Sequence, residues 1–322
     1  MKIAFAGKGG SGKSTTSALF TRYMNAVQKR NVLAIDADVN MNLSGLLGVD
    51  VAMDKLMANP DVADVIRNYI KGTNPRVTDI SKFLPTTPPG EGSNLVRSVD
   101  DAALAPYSVR INDAPSLNLM SVGTYDKGGI GQTCYHSHLF VAENLLSHIA
   151  LDNDNDWVVC DMVAGTDAFA YSMHLQFDAI VLIAEPTPES AEVCRLYMEL
   201  ARESGIDGLI HLVANKIEDE SDIEFIVKAT GMTPIAVLPH TSALKKLRQR
   251  GDAITADFVT GNVAGAMEKI MLAASKPVLS AHDRMAMLHA LHTKLNEKKW
   301  VQQGYGDVMN QIDPDFKITK VA

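Results

Sequence analysis

Gly7-Lys8-Gly9-Gly10-Ser11-Gly12-Lys13-Ser14-Thr15 follows directly on the apolar run Lys2-Ile3-Ala4-Phe5-Ala6 and opens a helical stretch from about Lys13 to Lys29. A strand, a glycine-rich turn and a helix in that order place backbone N–H groups and a helix N-terminus at one point, which suits a phosphate group. Gly7 to Ser14 satisfies the Walker A pattern GxxxxGK[ST]. Gly9, Gly10, Ser11 and Gly12 are expected to curl their amides around phosphate oxygens. Lys13 is expected to reach the β- and γ-phosphates, Ser14 to offer its hydroxyl to Mg²⁺, and Thr15 to touch the α-phosphate. A chance glycine turn is the alternative, and the motif's length and its strand–helix setting argue against it.

Outward from this loop the chain alternates. Apolar runs at 31–36, 117–122, 156–161, 178–184, 208–214 and 235–238 are mostly continuous rather than every second residue, as parallel strands covered on both faces require. Helical patterns near 138–150, 187–204, 220–230 and 262–275 lie between them. The fold class expected is α/β: a doubly wound, mostly parallel sheet with helices on both faces. Two regions break the alternation. Residues 50–115 read as an inserted subdomain, helical around 61–71 and Pro/Gly-rich at 86–93 (TTPPGEGS). They suit a cap on the nucleotide, a partner site or a plain surface excursion. Residues 280–300 read as an amphipathic helix with Leu288, Leu291 and Leu295 on one face. The domain division expected is therefore 1–279 for the P-loop unit and 280–322 for a C-terminal helix and tail.

Composition limits the partners. Of 322 residues, 30 are Lys or Arg and 38 Asp or Glu, a net charge of -8, so broad attraction to nucleic acid or an anionic membrane is not favoured. The N-terminal apolar run is too short for a signal peptide or a membrane span, so a cytoplasmic location is expected, with Cys134, Cys160 and Cys194 as thiols.

Carboxylates sit where phosphoryl transfer needs them. Asp36-Ala37-Asp38 closes the second strand, and Asp36 is the expected support for Mg²⁺ and its waters. Asp161 ends Trp157-Val158-Val159-Cys160-Asp161, a Walker B arrangement, and is the second expected metal support. Acids at strand ends are also common in ordinary loops.

With Lys8 the loop reads KGGxGKS, and here the sequence resembles the MinD/ParA/nitrogenase-iron-protein class of ATPases. The resemblance covers residues 1–48 and about 117–275. It implies a P-loop NTPase fold, ATP and Mg²⁺ as cofactors, ATP hydrolysis, and a homodimer bridged by ATP in which Lys8 acts on the nucleotide of the other subunit. It implies that Asp38 orients the attacking water, that Gly165, in Met162-Val163-Ala164-Gly165, belongs to switch II, that Asn215 reads the adenine edge, and that Pro239 lines the base pocket. Glu185-Pro186-Thr187-Pro188-Glu189-Ser190 matches the family's strand-to-helix turn and reads most simply as a helix start.

The run Gly128 to His138, GGIGQTCYHSH, resembles the approach to a Cys-x-Cys pair in the CooC-type ATPases, which load nickel into carbon monoxide dehydrogenase. Here the pair is Cys134 and His136. Two symmetry-related Cys/His pairs would supply four ligands to Zn²⁺ or Ni²⁺ at a dimer interface. A small buried thiol beside helix-start histidines is the commoner explanation. The function expected is an ATP-driven maturation or metal-delivery factor acting on a client protein. The alternatives are a positioning ATPase, for which Lys245, Lys246, Arg248 and Arg250 form a small basic helix, and a nucleotide-gated partner-binding module.

Overall fold

The computed structural model describes residues 1–124, 135–276 and 278–319, with backbone alone at 135–137. Eight strands form one sheet: β1 Lys2–Gly7, β2 Asn31–Asp36, β3 Val109–Asp113, β4 Ser116–Ser121, β5 Asp156–Asp161, β6 Ala179–Ala184, β7 Ile210–Ile217 and β8 Ala236–Pro239. Their order is β3-β4-β2-β5-β1-β6-β7-β8. Seven run parallel, and β3 pairs antiparallel with β4 at one edge. The helices are α1 Lys13–Arg22, α2 Asn42–Leu46, α3 Pro60–Lys71, α4 Tyr135–His148, α5 Pro188–Glu203, α6 Glu220–Thr230, α7 Ser242–Arg250, α8 Gly261–Ala274, α9 Ala281–Asn296 and α10 Lys299–Gly304.

Continuous apolar strands have a direct consequence here. Successive side chains of β1 enter opposite cores, Ala4 and Ala6 on one face and Ile3 and Phe5 on the other. The expected α/β class is therefore the observed one. Helix starts are chemically marked. Asn59 caps α3 with Pro60 behind it, Thr187 caps α5 ahead of Pro188, and Ser280 and Asp283 form a reciprocal capping box on α9. α1 ends earlier than expected and continues as a π-turn at Tyr23–Val27.

The insertion behaves differently from expectation. It supplies the edge strand β3, whose alternating, half-exposed pattern VRIND gives no continuous apolar run. Its Val62, Ile66, Ile70, Phe83 and Val96 join the same core as the central strands. The Pro/Gly-rich middle is not a surface excursion: Thr86 and Thr87 are fully buried. Thr86 Oγ1 bonds His292 Nδ1 at 2.9 Å and Thr87 Oγ1 bonds Gln311 Oε1 at 2.8 Å, so the middle of the insertion is held by the C-terminal segment. No helix of the described residues is long and apolar enough to cross a membrane.

Candidate active site

The parallel strands β1, β2, β5, β6 and β7 all end at one side; β2 and β5 end on Asp36 and Asp161, Glu185 follows β6, and Asn215 lies near the end of β7. β1 runs into the glycine loop. Gly12 (φ 100°) caps α1, and a Cβ there would overlap Asn215 Nδ2. Asn215 sits so close because its Nδ2 donates to Ser11 O at 2.8 Å. Only glycine satisfies both the left-handed φ and that approach. The loop closes on itself through Ser11 N–H to Lys8 O (3.2 Å) and Thr16 N–H to Gly12 O (2.9 Å).

Lys13 is buried and its Nζ lies 3.8 Å from Asp38 Oδ2. Asp38 Oδ1 accepts from Asn40 N–H and Nδ2 at 2.9 and 2.8 Å, which aims the other oxygen at the lysine. Asp36 is fully buried. It accepts from Leu43 N–H at 2.9 Å and from Asp38 N–H at 3.3 Å, so it shapes the turn after β2. Burial nonetheless pushes its carboxyl up to about 7, with Asp38 adding repulsion. Asp161 is fully buried and neither of its oxygens completes a hydrogen bond, although Ser14 approaches closely enough to favour the charged form. Burial first, and Asp36 second, hold its carboxyl well above the usual carboxylate range.

An orphaned buried carboxylate, facing a hydroxyl at a helix start and beside two further acids, fits a divalent cation. Among the described residues no three His, Cys, Asp or Glu side chains form a closed metal cluster. Mg²⁺ is commonly held by one or two protein oxygens and completes its shell with water and phosphate, a demand that Asp161 and the Ser14 hydroxyl fit. Cys134 lies outside the described residues and nothing is described of the His136 side chain. Cys160 and Cys194 are buried free thiols.

A cleft of about 720 Å³ joins these groups. Gly9, Gly10, Gly12, Lys13, Ser14, Thr15, Asp38, Asn215 and Pro239 line it, together with Lys245 and Arg248 of α7. The basic helix thus flanks the cleft. Gly165 N–H donates to Gly7 O at 3.0 Å, tying the segment after β5 to the glycine loop.

Two residues escaped the sequence reading. Glu185 directly follows β6, and its oxygens lie 3.5 Å from Lys8 Nζ and 2.5 Å from Lys216 Nζ. Lys216, with a positive φ of 62°, also donates to Gly10 O at 2.6 Å. The signal was present in Ala179 to Glu185, an apolar run ending on an acid as Trp157 to Asp161 does. The proline-rich turn behind it read as a helix start and hid it.

The comparisons with known proteins agree with this geometry. The family model for the CobQ/CobB/MinD/ParA nucleotide binding domain matches residues 2–317. The chain is 31% identical over 252 residues to the carbon monoxide dehydrogenase accessory protein CooC of Rhodospirillum rubrum, covering 78% of this chain and 88% of that one. It is 26% identical over 259 residues to an uncharacterized ATP-binding protein of Methanocaldococcus jannaschii, covering 80% and 95%. The fold matches the septum site-determining protein MinD of Pyrococcus horikoshii, solved with Mg-ADP, at a TM-score of 0.54, 21% identity and coverage of 84% and 93%. The chain belongs to the CobQ/CobB/MinD/ParA nucleotide-binding family and is a P-loop ATPase.

Proposed function

We propose that this protein is an ATP-driven dimeric switch serving as a maturation or metal-delivery factor of the CooC kind. One observation supports the dimer: Lys13 is buried against Asp38, whereas Lys8, five residues earlier in the same loop, is 33% exposed and lies 3.5 Å from Glu185. A partly exposed cation in the phosphate loop is available to another cleft. The delivery role is supported by the 31% likeness to CooC.

In this reading the Gly9–Gly12 amides and Lys13 hold the phosphates, Ser14 and Asp161 hold Mg²⁺ with Asp36 behind them, and Asn215 and Pro239 bound the base end. Mg²⁺ neutralises phosphate charge when bound. Asp38, fixed by Asn40 and adjacent to Lys13, orients the water that attacks the γ-phosphorus. As the bond to the ADP oxygen breaks, charge gathers on the phosphoryl oxygens, where Lys13 and Lys8 of a second copy stabilise it. Gly165 gives up Gly7 O when it turns to the phosphate, so nucleotide state is felt along the segment that follows β5.

Sedimentation of the chain with an unhydrolysable ATP analogue tests the dimer. Lys13→Ala should abolish nucleotide binding, and Lys8→Ala should bind nucleotide but stay monomeric. A Lys8→Ala dimer equal to the parent's would sink the face-to-face reading. Metal analysis of the ATP-bound dimer, with Cys134→Ala beside it, tests delivery. Absence of stoichiometric zinc or nickel removes that role. The exposed Lys245 and Arg248 of α7 give a positioning ATPase its one supporting observation. Co-sedimentation with DNA or anionic vesicles only in ATP would favour it.

A further inference from the structure

Glu185 is placed between two cations and is itself rigidly mounted. It follows β6 directly, and β6 lies between β1 and β7, so Glu185 stands at the carboxyl end of the sheet. Its N–H donates to Ser190 Oγ at 3.1 Å, and its carbonyl accepts from Thr187 N–H at 2.7 Å, so the first turn of α5 fixes its backbone. Its side chain is only 12% exposed, against 33% for Lys8 and 42% for Lys216. One oxygen faces Lys8 at 3.5 Å, and the other holds Lys216 at 2.5 Å.

We propose that Glu185 is a positioning residue for ATP hydrolysis, storing Lys8 against its own subunit and releasing it to the nucleotide of a second copy. This rests on the trans role of Lys8 argued above. The two-cation arrangement makes release cheap. A nearly buried carboxylate that lost its sole partner would be left uncompensated, which is strongly unfavourable. Here Lys216 keeps Glu185 paired after Lys8 departs. The Lys8 contact is long and partly solvated, so it is weak and easily outbid by a polyphosphate. Glu185 therefore sets a threshold: Lys8 stays at home until a second subunit offers a nucleotide. Lys216 divides its own bonds between Glu185 and Gly10 O, so the same carboxylate braces the phosphate loop.

The test is the rate of ATP hydrolysis per subunit as a function of protein concentration, at low and high salt. Glu185→Gln keeps an oxygen for Lys216 and removes the charge that holds Lys8. The concentration for half-maximal activity should fall about two- to fivefold at low salt, and the gap should narrow as salt screens the pair. Lys216→Gln removes the loop brace but leaves Lys8 beside Glu185, so its midpoint should not fall. Glu185→Asp keeps the charge on a shorter arm and should lie between parent and Glu185→Gln. If Lys216→Gln lowers the midpoint as Glu185→Gln does, Glu185 is only a brace and the storage role is wrong. An unchanged or raised midpoint in Glu185→Gln, with a raised one in Lys8→Ala, overturns the storage role while the dimer stands. If Lys8→Ala keeps the parent's midpoint, the trans reading fails and takes the storage role with it.

Discussion

At Asp161 the chain keeps a carboxylate where it is worst solvated. Both oxygens lack a hydrogen bond, and burial and Asp36 together oppose ionisation. Such a group works against the empty fold and becomes favourable when a cation arrives. Asp161→Asn should therefore leave the melting temperature of the nucleotide-free protein unchanged or higher, while Mg²⁺-dependent hydrolysis falls by about two orders of magnitude. A clear drop in melting temperature would mean that Asp161 is structural instead. Gly12→Ala is the second residue-scale prediction. Its Cβ meets Asn215 Nδ2 and its φ is left-handed, a conformation costing roughly 1–2 kcal/mol for a residue other than glycine. The variant should fold but bind ATP at least about tenfold more weakly by calorimetry, since the loop must shift to admit the methyl. At this scale Gly7–Thr15, Asp36, Asp38 and Asp161 were legible because each belongs to a contiguous pattern of strand followed by loop or acid. Glu185 was hidden because its meaning lies in its neighbours. Only the sheet order sets β6 between the glycine loop and Lys216, and no local spacing encodes that order.

Between elements, α4 and the segment after β5 are joined at Glu143. Ser172 N–H and Oγ both lie 2.6 Å from Glu143 Oε2, and the same Oγ lies 2.7 Å from Pro85 O. A hydroxyl has one hydrogen, and Pro85 O can only accept, so the second contact needs a proton from Glu143. Burial, which pushes the Glu143 carboxyl up to about 8, agrees that it is protonated at neutral pH. Phe140 of α4 packs edge-on to Tyr171, 5.0 Å between centroids, one residue before Ser172. Tyr171 and Ser172 therefore tie the segment after β5 to α4 by both packing and hydrogen bonds. The pH sign follows from the raised value. The unfolded chain loses this proton near 4.5 and the folded chain near 8, so the contribution of Glu143 declines across that interval and is flat above it. Urea midpoints of the parent should fall between pH 6 and 8.5 relative to those of Glu143→Gln, which carries no titrating proton. Parallel curves would refute a protonated Glu143. The long parallel strands and most helices were readable from continuous apolar runs and cap residues. β3 was not, because an edge strand with one wet face has no such run, and its partner β4 lies across a two-residue turn whose pairing the sequence does not display.

Taken as a molecule, the chain closes its insertion with its own C-terminal segment. Thr86 Oγ1 meets His292 Nδ1, whose Nε2 lies 3.1 Å from Val308 O. Because that carbonyl can only accept, His292 carries its hydrogen on Nε2 and receives one from Thr86. Glu91 N–H donates to Asp313 Oδ2 at 2.9 Å, and Arg76 Nε stands 3.5 Å from the same oxygen. Leu84 packs with Leu295, Val301 and Val308 in a small core of their own. α9 is anchored in turn by Arg284, which donates to Leu175 O at 2.8 Å, to Phe177 O and to Asp178 Oδ1 at 2.7 Å beside the start of β6. A boundary at 279/280, natural from the sequence because the strand–helix alternation stops there, would cut between the halves of this lock. Truncation after 279 should then do more than remove an appendage. Thr86, Thr87 and Leu84, fully buried in the whole chain, would face water, and the Pro/Gly-rich middle has no regular secondary structure of its own to hold it. The truncated chain is expected to aggregate, or to lose protection first across residues 76–94 in hydrogen exchange, while the strands keep theirs. Arg284→Ala, which removes a donor from two carbonyls and from Asp178 Oδ1 and leaves the Asp178 carboxylate held, among the described residues, only by the Lys2 N–H, should destabilise the full chain by roughly 2–4 kcal/mol in urea melts. The 76–94 exchange should rise with it. A truncated chain as stable as the parent, with unchanged exchange over the insertion, would show that the two segments fold independently and only touch.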